Sequence, residues 1–248
     1  MAVPARTTQT SRDRRTARLG GVLYLVTFAA SIPAAFYFLD PVLGDPGYVL
    51  GPGADTRVLV GGLLDMVNAL ACIGTAVVLF RVLKRQSETL AIGFITSRVL
   101  EAAIISVGVV SLFAVVALRQ DPAGADDASL TAAGTALVAV RDFTFHVGPG
   151  VMAGVNALLL GTLMYRSGLV PRAIPLMGLI GAPLLIAAKI ATILGVNDDS
   201  TVWSLAALAP IFLWELSLGL WLTFKGFRPS PITTGPAVPH VELEGAAR

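Results

Sequence analysis

Six apolar stretches, residues 19–39, 58–83, 90–118, 135–165, 173–195 and 202–224, constrain this sequence more than anything else in it. A bilayer core about 30 Å thick is crossed by roughly 20 residues of helix, and each stretch reaches that length. Backbone amides shielded from water must bond to one another, which a single segment achieves only as a helix. The even spread of Ala, Leu, Val and Gly also lacks the alternation of a barrel strand. The expected fold class is all-α, a polytopic membrane protein with six transmembrane helices. Composition agrees: 55% of the residues are hydrophobic, 14% are charged and the mean hydropathy is +0.76, against roughly 25% charged in an ordinary soluble domain.

The segments between the stretches alternate in charge. Arg6, Arg12, Arg14, Arg15 and Arg18 precede the first; Arg81, Lys84 and Arg85 lie at and after the end of the second; Arg166 and Arg172 follow the fourth; Lys225, Arg228 and Arg248 follow the sixth. The intervening connections carry only Arg57 and Arg119, beside Asp40, Asp45, Asp55, Asp121, Asp126, Asp127, Asp198 and Asp199. Basic residues collect on the cytoplasmic side, so both termini are expected in the cytoplasm, with the protein in the inner (plasma) membrane. The first stretch also has the basic approach of a cleaved signal peptide, but its apolar core is longer than such segments use, and it reads as a retained span. Residues 1–16 read as a disordered basic arm, 17–228 as the membrane domain and 229–248 as a disordered tail. No residue-level match supports two inverted halves.

Inside hydrocarbon an ionisable side chain costs about 2.5–3.5 kcal/mol on insertion scales, so each one calls for a reason. Asp65 and Asn68 lie in the second stretch, Arg98 and Glu101 in the third, Asn156 in the fourth and Glu215 in the sixth. Counted from the span ends, all fall near the midplane, where they can meet in one cluster. Arg98 and Glu101 share a helix face and can pair, with Asp65 and Glu215 as further acids around the same guanidinium. Such a group reads in two ways. It is a binding or proton site, because acids crowded in low dielectric are not all expected to keep their charge, or it is a network that only fixes helix packing.

A second polar group precedes Gly148, Pro149 and Gly150 in a fourth stretch too long for one straight crossing. Proline between two glycines is expected to kink or break the helix. Arg141, Asp142 and His146 then form an outer gate, joined by Lys189 of the fifth stretch. The alternative is an interfacial cap, with Phe143 and Phe145 among the headgroups and Arg141 snorkelling outward. Trp203 and Trp221 read as interface anchors, and Trp214, beside Glu215, as packing.

Several chemistries lack their residues. Cys72 is the single cysteine, which excludes a disulfide framework and Cys-based zinc or iron–sulfur sites. His146 is the one histidine within a stretch and His240 is in the tail, too few for paired haem ligands. No His-Glu-x-x-His pair, Gly-x-Ser-x-Gly elbow or phosphate-cradling Gly loop occurs. Lys189 invites comparison with a Schiff-base lysine, but a seventh helix is missing. No cofactor is expected. A net charge of +2 selects no nucleic-acid partner; the partners expected are the lipid bilayer and a small-molecule or proton ligand.

The chain resembles a family of uncharacterised bacterial integral membrane proteins, domain of unknown function 4386. The carriers are Arg18-Leu19-Gly20-Gly21, Arg98-Val99-Leu100-Glu101, Arg141-Asp142-Phe143-Thr144-Phe145 leading into Gly148-Pro149, and Asn156. Val170-Pro171-Arg172, Met177-Gly178-Leu179-Ile180-Gly181, and Glu215 before Trp221-Leu222-Thr223-Phe224-Lys225-Gly226-Phe227 complete them. The resemblance implies six spans over about residues 15–228. It also implies that Arg98, Glu101, Arg141, Asp142, Asn156 and Glu215 belong to the family pattern; Asp65 and Lys189 match no motif of it. It implies no activity. Three function classes follow from the residues: a non-enzymatic protein that binds or moves a small solute or proton, a structural or partner-binding protein, and an intramembrane enzyme on a lipid-like substrate with Asp142 or His146 as acid/base.

Overall fold

A computed structural model of the chain describes residues 11–45 and 47–233. Among them, six helices are long and apolar enough to cross a membrane: α1 Ser11–Phe38, α2 Asp55–Leu83, α3 Glu88–Gln120, α4 Asp127–Ser167, α5 Ala173–Ile193 and α6 Val202–Phe224. Ser87, Asp126 and Thr201 cap α3, α4 and α6, their side-chain oxygens accepting from Leu90 N, Ser129 N and Ser204 N. The hydrogen bonds from Ser129 hold the Asp126 carboxyl below the usual carboxylate range. Gly168 ends α4 at a φ of +65°, a conformation glycine adopts without strain.

Each helix packs against its neighbours in sequence, and α6 closes onto α1, so the six form a ring. Close approach at the closure depends on Gly21. A Cβ there would stand 2.5 Å from Thr223 N and 2.7 Å from Gly219 O, both backbone atoms of α6. Gly178 of α5 likewise gives room to the Trp214 indole, which is buried as expected, while Trp203 is 79% exposed and suits an interface anchor.

The chain-end face is sealed by apolar side chains. Leu79, Phe94, Leu160, Leu163 and Leu218 belong to one buried core, and a second core around Leu39, Val58 and Leu112 lies toward the opposite face. Two expectations about the ends change. Residues 11–16, read as part of the arm, are helical, with Asp13 buried and paired with Arg85 at 3.2 Å. Residues 229–233, read as tail, fold back: Arg228 N donates to Leu169 O, Ser230 Oγ to Ser167 O and Arg85 to Ile232 O. The Ser167 acceptor is one of the carbonyls left open at the end of α4. The expected disorder of residues 1–10 and 234–248 lies outside the described residues.

On the opposite face the two basic residues that stood among the acids are both paired. Arg119 donates to Asp55 at 2.6 and 2.7 Å and to Gly51 O, while Arg57 lies 3.9 Å from Asp40. Tyr48 also donates to Asp55, and burial, together with that neighbouring carboxylate, raises the tyrosine's pKa.

The fourth span does not break at Pro149. It widens into a π turn over His146–Met152 and continues as helix. Proline removes one ladder hydrogen bond and its ring crowds the preceding turn; widening relieves the clash while the other amides stay bonded. A second π turn, Ala34–Phe38, follows Pro33 in α1.

Gly21→Ala is expected to lower the thermal midpoint in detergent, because the added methyl meets backbone that cannot rotate away; overpacking of this kind costs about 1–3 kcal/mol. Ala29→Leu, on the exposed side of the same helix, should leave the midpoint where it is.

Candidate functional site

Arg98 is 3% exposed and lies ten residues into α3, about 15 Å along the helix axis. Its two terminal nitrogens are fully engaged. Nη1 donates to Glu101 Oε2 at 2.8 Å and lies 3.5 Å from Cys72 Sγ; Nη2 donates to Glu215 Oε1 at 2.9 Å and to Tyr24 Oη at 3.0 Å. Nε has no partner among the described residues. The rings of Tyr24 and Phe94 lie 5.4 and 5.7 Å from the guanidinium carbon. Asn156 Nδ2 donates to Glu101 Oε2 at 2.8 Å, and the Ser97 hydroxyl lies against Asn156 Oδ1. Asn68 joins at one remove, accepting from Cys72 Sγ at 3.8 Å. Five of the six helices thus meet at one cation, since Glu101 hands the contact on to α4.

Asp65 does not join that guanidinium. It pairs with Arg141, Nη2 to Oδ2 at 3.8 Å. The reason is depth: Cys72 is the α2 residue level with Arg98, and Asp65, seven residues away, stands about 10 Å further along the axis. Arg141 is correspondingly buried and turned inward, with Phe145 4.5 Å from its guanidinium carbon, so it does not snorkel outward.

The outer group therefore divides. Arg141 belongs with the central site, whereas His146 and Lys189 both turn to Asp199 of the last connection, at 3.4 and 2.8 Å. Lys189 reaches it because its stem crosses α4 at Gly150, where a Cβ would stand 2.9 Å from Lys189 Cγ. Asp142 is on the exposed side of α4, with Arg141, His146 and Asp199 as the charges acting on it. The four expected gate residues do not form one constellation.

A cavity of about 250 Å³ lies inside the ring. Its polar wall contains Arg98, Glu101, Glu215, Asp65, Asn68 and Arg141. Phe36, Ile32, Leu208 and Phe145 also line it and are 82, 41, 45 and 37% exposed, so the rim is apolar and faces outward. Ala35 and Phe36 come from the first π turn and Pro149 from the second, in keeping with the frequent occurrence of such turns at functional sites. Asn156 stands behind the wall; Asp142, His146 and Lys189 are not part of it.

A model of the family described as a domain of unknown function (DUF4386) matches residues 19–226. The chain belongs to this family. No curated protein and no solved structure matches the chain. The matched segment holds the whole Arg98 network and the cavity wall, and leaves out the first residues of α1 and the fold-back after Gly226.

Three partners escaped the sequence reading. Tyr24 and Cys72 present one polar atom each from apolar runs, and Ser97 is a small hydroxyl; the available signal was a tyrosine in mid-span, whose hydroxyl needs a partner when buried. Asp199 stood among the connection acids with nothing to single it out.

No groups of His, Cys, Asp and Glu suited to a metal ion occur among the described residues. Arg98→Leu is expected to destabilise the protein by about 3–5 kcal/mol, because Glu101 is left buried without its cation. Arg98→Leu with Glu101→Leu and Glu215→Leu should cost less than the single change; thermal midpoints of the two variants in the same detergent decide it.

Proposed function

We propose that this chain is an inner-membrane protein that binds a small solute or proton in its central cavity and moves it across the bilayer, with both chain ends in the cytoplasm. The observation that supports this is the cavity itself: it reaches Arg98 and Glu215, where a network serving only to hold helices together would be closed over. Glu215 is the suited proton carrier. One of its oxygens is bound to Arg98, its side chain is 19% exposed, and it lines the cavity. Glu101, 4% exposed and bonded by both Arg98 and Asn156, is the fixed counter-charge that keeps Arg98 in place. Asp142 and His146, either of which the enzymatic reading would use as acid/base, stand off the cavity wall.

The polar floor of the cavity and the sealed apolar core on the chain-end side describe a site accessible from one side. Movement of solute then requires the helices around Arg98 to shift against one another, as in alternating access. Release of the Arg98–Glu215 bond as Glu215 takes up its proton supplies the trigger, since an acid that has lost its charge holds a guanidinium less firmly.

Reconstitution tests this directly. In proteoliposomes carrying a luminal pH-sensitive dye, an inward proton gradient should acidify the lumen faster than in protein-free vesicles. Glu215→Gln should abolish most of the difference, and Asp121→Asn, in an exposed connection, should not. Unchanged uptake in Glu215→Gln dismisses its role. Reporter fusions at both ends should show cytoplasmic activity.

A further inference from the structure

The cavity wall carries polar groups of both signs that the protein itself leaves without hydrogen bonds. Arg141 is the clearest. Its side chain is 8% exposed and lines the cavity, yet among the described residues no hydrogen bond reaches its guanidinium: Asp65 stays at 3.8 Å and Phe145 offers a ring face. A guanidinium has five N–H donors, and those of Arg141 open onto the cavity, where a bound acceptor can meet them. The acceptors nearby are equally open. Asp65 accepts no hydrogen bond among the described residues, and Glu215 is bonded through Oε1 with Oε2 left over. Arg98 cannot serve a ligand in the same way, because its terminal N–H groups are all taken.

Open donors and open acceptors in one compartment suit a ligand that carries both charges. Size and lining narrow it further. About 250 Å³ is room for roughly eight waters at about 30 Å³ each, hence for a molecule of about that many heavy atoms. Beside the polar groups the wall is apolar, with Phe28, Ile105, Val109 and Leu208.

We infer that the ligand is a small zwitterion of the amino acid type with an apolar side chain, its carboxylate on Arg141 and its ammonium group on the carboxyl group of Asp65. This rests on the proposed function and names the solute class for the same cavity. A zwitterion leaves the charge of the site unchanged. Two guanidiniums there face three carboxyl groups, so one negative charge stays over, which is the place for the proton that Glu215 carries.

Three compounds sharing one isobutyl body separate the possibilities: leucine, isoamylamine, which lacks the carboxylate, and 4-methylpentanoate, which lacks the amine. Titration calorimetry on the full chain in lipid nanodiscs should show leucine binding at least about tenfold more tightly than either, as expected when a charge-assisted hydrogen-bonding group is lost. Arg141→Gln should weaken leucine by a similar factor and leave isoamylamine unchanged; Asp65→Asn should weaken leucine and leave 4-methylpentanoate unchanged. If either single-charge compound binds as well as leucine, the zwitterion is wrong and the cavity remains a binding site for the other class. Leucine binding that neither substitution weakens overturns the placement of the ligand. Binding of none of the three overturns the inference, while proton uptake by the wild type against Glu215→Gln decides the proposed function separately. The three wild-type titrations settle the ligand class even where a variant does not fold.

Discussion

A guanidinium in hydrocarbon is the constraint on which the rest of this molecule depends. Arg98 cannot reach an interface from the middle of α3, so the helices bring it partners: Tyr24, Cys72, Glu101 and Glu215 fill its terminal donors, and Asn156 steadies Glu101. Lipid-facing side chains are as apolar as lipid and give helices little reason to choose one another, whereas a buried charge selects neighbours and their vertical alignment. Gly21 and Gly178 let the helices come close enough for those bonds to form, the first by admitting α6 to α1, the second by seating Trp214 next to Glu215.

Packing and ligand binding are therefore not rival uses of the polar residues. Arg98 and Asn156 both bond Glu101, and the three hold the bundle together. Arg141, Asp65 and the free oxygen of Glu215 are left open, and they face the cavity. Arg98 and its partners, Glu215 among them, lie at the depth of Cys72, and the open pair Arg141 and Asp65 lies nearer the face opposite the chain ends. The two π turns belong to the open half. A widened turn aims Phe36 and Pro149 at the cavity, where a regular helix would present a different register.

How much of this was legible in the sequence depends on the range of the interaction. The six spans, the pairing of Arg98 with Glu101 three residues on, and the approach of Glu215 and Asn156 follow from length, helical spacing and depth. Asp65 was assigned to the wrong arginine because counting residues from a span end carries an error of a turn or more, and an offset of about two turns decides whether a carboxylate meets Arg98 or Arg141. His146 and Lys189 meet through Asp199, which lies in a connection whose path no periodicity describes. The helical residues 11–16 and the fold-back at Ser230 were hidden for a related reason: they are polar segments ordered by the ends of distant helices.

The amino-acid sequence by itself determined the medium, the helix count and the short list of buried ions, since hydropathy and the expense of charge in oil act locally along the chain. Tertiary structure alone decided which acid each arginine holds, that α6 closes the ring on α1, and that a cavity remains with Arg141 and Asp65 in its wall. Those outcomes depend on axial offsets of a few ångströms between helices, and such offsets are set by side chains meeting across the bundle, far apart in the chain.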